Sequence, residues 1–133
     1  MARRAGHPDE ADAATALAAV PEGGLEPAMS RRDAAWGDAI GRTYLVAGRS
    51  AEALPYLRRA ASSCGALVDP LAVMHANVDL GAALEANGDV PGACAAYGRV
   101  LDQWASARPK AVTAEHAKRR FVALTCRMRD AAK

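Results

Sequence analysis

The chain has 133 residues, a formal net charge of +2, a hydrophobic content of 51% and only 5% aromatic residues. That length fits one domain with one modest core. The charge is too small to point by itself to nucleic acid or a membrane surface, and no run reaches the roughly 18 apolar residues that a bilayer span requires. Much of the apolar fraction is alanine, the strongest helix former, and small side chains let helices pack closely. The composition therefore predicts an all-α fold.

Residues 1–29 read as a flexible N-terminal arm, punctuated by Pro8, Pro21, Gly23, Gly24 and Pro27. Only the stretch from Pro8 to Val20 could form a short Ala-rich helix. Arg3 and Arg4 ahead of Ala11 to Val20 give the outline of a secretory leader. Asp9, Glu10 and Asp12 interrupt its apolar segment and no clear cleavage site follows, so the expected location is cytoplasmic.

A helical domain is expected over residues 30–131. Ser30 and Asp33 form a capping box for a helix over 31–47 that Gly48 closes. Ser50 is placed to cap a second helix over 51–63, with Pro55 close to its first turn. Together these make a first hairpin, 31–63. A second hairpin, 70–105, repeats the punctuation. Asp69-Pro70 is a strong start signal, Asn87-Gly88 a favourable stop, and Asp89 a cap for the helix beginning at Val90. Thr113 is placed to cap a last helix over 113–130. Ala117, Phe121, Leu124 and Met128 give that helix one apolar stripe.

From Arg108 onward the chain carries eight Lys and Arg against only Glu115 and Asp130. The plain reading is the solvated face of a terminal helix. The sharper one is a patch that docks an acidic surface or a phosphate backbone. Interleaved aromatics and Gly-rich arms are missing, which argues against a nucleic-acid partner.

The chain also repeats itself at a spacing of forty. Ile40-Gly41 recurs as Leu80-Gly81, Tyr44 as Leu84, Gly48 as Gly88, Ala53 as Ala93, Leu57 as Tyr97 and Arg59 as Arg99. A small residue beside a large one, then a helix-ending glycine, is the pattern of a stacked helical hairpin. These positions resemble the tetratricopeptide repeat. The resemblance covers roughly Ser30 to Asp130 and departs from that family's usual spacing through a longer connection. It implies an α-α superhelix of two antiparallel hairpins plus a C-terminal capping helix.

More narrowly, Gly88 to Tyr97, Trp104, Ala107 to Lys110 and Val112 to Cys126 resemble the repeat region that follows the catalytic domain in some bacterial serine/threonine protein kinases. No kinase motif is present. That resemblance implies at most a sensing or docking appendage of a signalling protein.

By repeat position, the exposed groove is expected at Asp38, Arg42 and Leu45 of the first hairpin and His75, Val78, Asp79 and Glu85 of the second. Mixed charge with an acidic lean suits a basic or amphipathic peptide or helix of a partner protein. Asp38 and Arg42 stand where carboxylate-gripping members of the family need Lys and Asn, which argues against that mode. The expected function is a non-enzymatic scaffold or protein-binding module. A regulatory fragment of a kinase-like protein is the alternative.

Cys64, Cys94 and Cys126 lack the spacing of a zinc site. Antiparallel pairing about a turn flanked by Ala105 and Thr113 sets Cys94 opposite Leu124, within a turn of Cys126. A thiol contact between Cys94 and Cys126 is thus expected, becoming a disulfide only in an oxidising compartment. His7, His75 and His116 are scattered, and Trp36 and Trp104 are read as filling hairpin interfaces. No cofactor or metal is expected.

Overall fold

The computed structural model describes residues 10–19 and 34–127, and over them the chain is all-α. Six helices follow in order: α1 (Glu10–Ala18), α2 (Ala34–Val46), α3 (Ser50–Ala61), α4 (Pro70–Ala86), α5 (Val90–Trp104) and α6 (Val112–Ala123). A single 3-10 turn, Cys64–Leu67, lies between α3 and α4, with Leu67 and Val68 projecting into solvent.

Local chemistry accounts for most of the boundaries. Asp69 accepts a hydrogen bond from the Ala72 amide at 3.0 Å, and Asp89 accepts one from Gly92 at 2.9 Å. Each satisfies an amide that the first helical turn leaves without a partner. Pro70 and Pro91 sit in those first turns, where a missing N–H costs nothing. At the other ends, Gly48 and Gly88 take φ of +75° and +78°. The next amide then turns back, Arg49 to Tyr44 O and Asp89 to Leu84 O, each at 2.9 Å. Glycine adopts that left-handed conformation without steric cost.

The three-residue links leave each helix pair no option but to fold back on itself. Gly37 faces Ala60 and Gly41 faces Leu57, so positions rise along α2 as they fall along α3, an antiparallel register. A Cβ on Gly41 would stand 2.5 Å from Leu57 Cγ, and one on Gly81 would stand 2.5 Å from the Tyr97 ring. The two contacts are forty residues apart on both sides. Ala53 and Ala93 are wholly buried, as are Leu57 and, to 1%, Tyr97. Burying each of those two large side chains contributes roughly 1.5–3 kcal/mol.

The helices then pack in sequence. α3 lies on α4, α4 on α5 and α5 on α6, while α2 and α6 also touch α4. Helix α4 is therefore central, with ten of its residues buried. Its buried Asn77 turns its amide inward, donating to Val73 O at 2.9 Å.

Several expectations need correction. The short helix expected between Pro8 and Val20 is α1, but it is not part of a loose arm: it packs on α2 and buries Ala13 and Leu17, which lie one turn apart on a single face. Ser50 is the first residue of α3 and makes no cap; Arg49 precedes it and pairs with Glu52. Thr113 is likewise inside α6, which Ala111 precedes without a side-chain cap. Helix α6 stops at Ala123, not near residue 130. Thr125 takes φ of +53°, and the Cys126 amide returns to Phe121 O at 3.0 Å, closing the helix there. The capping box at Ser30 and Asp33, His7, the Trp36 side chain and Met128 lie outside the described residues.

Candidate functional site

Helices α2, α4 and α6 share a face whose polar side chains the packing does not consume. Asp38 and Arg42 come from α2, His75 and Asp79 from α4, and His116 from α6. Asp38 and Arg42 are one helical turn apart, as are His75 and Asp79, so each pair points the same way. The contact of α2 with α4 brings the pairs together. Arg42 Nη1 stands 3.7 Å from Asp79 Oδ2, with the arginine side chain 45% exposed and the aspartate only 14%.

The two carboxyl groups at the centre are held unusually. Asp38 Oδ1 and Asp79 Oδ2 are both shielded from solvent and lack a hydrogen-bond donor. Burial, reinforced by the negative charge of Asp79, pushes the Asp38 carboxyl up to about 7, against the pull of Arg42. Burial also raises Asp79, while Arg42, a hydrogen bond from Asp38 and the nearby His75 and His116 act to lower it. A proton on Asp38, donated to Asp79, resolves the orphaned oxygens: two carboxylates are both acceptors, whereas an acid and a carboxylate can bond. The pair is thus built to share one proton around neutral pH.

The other expected groove positions separate from this cluster. Val78 is not exposed. It is 7% accessible and belongs to the core, because α4 is enclosed by neighbours where α2 is not. Leu45 is partly buried and packs against that core. Glu85 is engaged elsewhere. It accepts from Tyr97 Oη at 3.2 Å and from Arg120 Nε at 3.2 Å, and forms an ion pair with the Arg120 guanidinium. Glu85 thereby fastens α4 to α5 and α6. Burial and the adjacent Glu85 charge push the Tyr97 phenol well above its ordinary range. His75 is half-buried and His116 exposed.

Sequence reasoning did not place His116 or Arg120 at these positions. Both depend on α6 lying over α4, and no local pattern encodes that contact. Lys118 and Arg119 remain exposed on the outer side of α6.

Cys94 and Cys126 are joined in a disulfide with Cα atoms 5.5 Å apart, tying α5 to the residues just past α6, while Cys64 is free and exposed. The thiol contact expected between Cys94 and Cys126 is thus present, and disulfides persist mainly in oxidising compartments. Trp104 is half-buried, and its indole N–H lacks an acceptor. Among the described residues, no group of three potential ligands could hold a metal, and no helix is long and apolar enough to cross a membrane. Comparison with protein-family models, curated proteins and solved structures finds no match to this chain.

Proposed function

We propose that the chain is a tetratricopeptide-like interaction module, without catalysis of its own, whose α2–α4–α6 face takes a peptide or helix of a partner protein. The observation that carries this is the Asp38–Asp79 pair with Arg42 beside it. These are costly groups to hold half-buried, and the Arg42 side chain beside them stays 45% exposed. The repeated glycine-to-large-residue packing at Gly41–Leu57 and Gly81–Tyr97 supports kinship with the repeat family. With Asp38 and Asp79 both ionised, the face carries the negative charge that attracts a basic side chain.

The pair also gives binding a pH sense. Below about pH 7 Asp38 holds a proton, and the pair offers one negative charge instead of two. Capture of a basic peptide should therefore strengthen from pH 6 to pH 8. The direct test is an affinity pull-down and titration comparing the native chain with an Arg42→Ala/Asp79→Ala variant. Loss of partners by the variant supports the reading, and equal recovery of every partner by both removes it.

A further inference from the structure

Helices α3 and α5 both lie on α4 without packing appreciably on each other. Between them runs a cleft of about 760 Å³, floored by Leu80 and Leu84 of α4 and walled by Arg58 and Ser62 on one side and Pro91 and Arg99 on the other. That volume is in the range of sites that hold small molecules or a peptide end. On α4, positions 80 and 84 lie well round the helix from 75 and 79, so this cleft is distinct from the Asp38–Asp79 face.

Arg99 is held in place from below. Its Nη1 donates to Asn77 Oδ1 at 3.2 Å. Asn77 is only 5% exposed, and its Nδ2 is committed to Val73 O, so the amide can present only its oxygen to the arginine. A buried amide spent on orienting a guanidinium lowers the entropy that the arginine loses when it binds something. The same arginine reaches the edge of a smaller cavity of about 240 Å³ that shares Ser62. Among the described residues, neither Arg58 nor Arg99 stands in an ion pair. Asp89 also borders the cleft, but its Oδ1 is occupied by the Gly92 amide.

We propose that the cleft between α3 and α5 binds a carboxylate carried on an apolar stem, with Arg58 and Arg99 holding the carboxylate and the Leu80–Leu84 floor taking the stem. Two guanidinium groups without acidic partners favour an anion, and their planar forks match a carboxylate. The aliphatic floor selects against a small, fully hydrated anion such as phosphate, which gains nothing from it. Such a group could be the C-terminus of a protein ending in an aliphatic residue, or a free alkyl carboxylate.

The test is an amide NMR titration of the full chain with four probes: hexanoate, hexanol, acetyl-Ala-Leu with a free carboxyl, and the same dipeptide as its amide. Saturable shifts around Ser62, Gly92 and Arg99 with the acids, absent with hexanol and the amide, are the expected result. Tighter binding of the dipeptide acid than of hexanoate would identify a protein C-terminus as the source, and the reverse a free alkyl acid. Arg58 is exposed, and Arg58→Gln leaves the Asn77–Arg99 bond intact, so this variant should fold normally and bind about tenfold more weakly. Asp38→Asn should bind as the native chain does, which keeps this test separate from that of the other face. Unsaturable shifts, equal shifts with hexanol, or undiminished binding by Arg58→Gln would overturn the proposal.

Discussion

The two hairpins share a skeleton and differ in what they do with it. In both, a glycine admits a large side chain from the partner helix, a glycine with positive φ closes the first helix, and a buried alanine follows. The first hairpin seats Leu57, an aliphatic chain that ends in the core. The second seats Tyr97, whose ring occupies the equivalent place but whose hydroxyl continues to Glu85, and through it to Arg120 of α6. At the entry to the second helix, Arg49 stands where Asp89 caps. Arg49 lies over the Tyr44 ring, 5.1 Å from its centroid, and that ring in turn stacks on Tyr56. Leu54 stands where Cys94 makes its disulfide. The first hairpin is thus held by apolar contact and surface charge, while the second is wired to its neighbour. One packing motif tolerates both because its small-to-large contacts occupy only one stripe of each helix.

The largest way to break this asymmetry is to reduce the disulfide. Loss of a crosslink between residues 32 apart should cost about 4 kcal/mol. Amide exchange should rise around the end of α6 and the first half of α5 while α2 and α3 stay protected. A thiol count on the denatured, unreduced protein should give one, from Cys64. A count of three would remove the crosslink from the comparison.

Next in size are the paired glycines. Gly81→Ala and Gly41→Ala each drive a methyl into the opposing side chain, and overpacking of this kind costs roughly 1–3 kcal/mol. The Gly81 variant should lose more in a urea melt, because a rigid ring anchored at its hydroxyl yields less than a leucine that can change rotamer. Equal losses would mean that the tyrosine anchor is not limiting.

Smaller effects separate the caps and the wiring. Asp89→Ala should cost about 1 kcal/mol by freeing the Gly92 amide, whereas Arg49→Ala, at the equivalent place, should shift the melting midpoint much less. Tyr97→Phe should cost about 1 kcal/mol, with no counterpart available in the first hairpin.

The last prediction concerns pH. Asp38 holds its proton more tightly folded than unfolded, so its contribution is fullest at acid pH and is lost as pH rises from about 4 through about 7. Asp38→Asn should remove that dependence, gaining stability over the native chain at pH 8 but not at pH 4. Parallel melting curves for the two across this range would show that the Asp38 carboxyl titrates normally.

How far the sequence could be read follows from how local each signal is. The starts of α4 and α5 were legible because Asp69-Pro70 and Asp89 act on amides three residues away. Glycines 48 and 88 marked their helix ends for the same reason. The cap assigned to Ser50 failed because the chain enters α3 one residue earlier, with Arg49 at the boundary. The end of α6 was misjudged because an apolar stripe running on to Met128 says nothing of a left-handed residue at Thr125. The helix at α1 was legible in its alanines, but its docking was not, because two buried residues, Ala13 and Leu17, are too few to register as periodicity. At the candidate site, Asp38, Arg42 and Asp79 were placed by repeat register alone. Val78 shares the register of Asp38, yet the enclosure of α4 buries it.

By itself, the sequence determined an all-α chain and the spacing of its two hairpins, since helix propensity, caps and small-to-large pairs act over a few residues. Only the tertiary structure decided which polar side chains meet. The meeting of Asp38 with Asp79, the Glu85 link to α6 and the cleft between α3 and α5 all arise where helices distant along the chain come together. Burial and charge there depend on three-dimensional neighbours that no local pattern records.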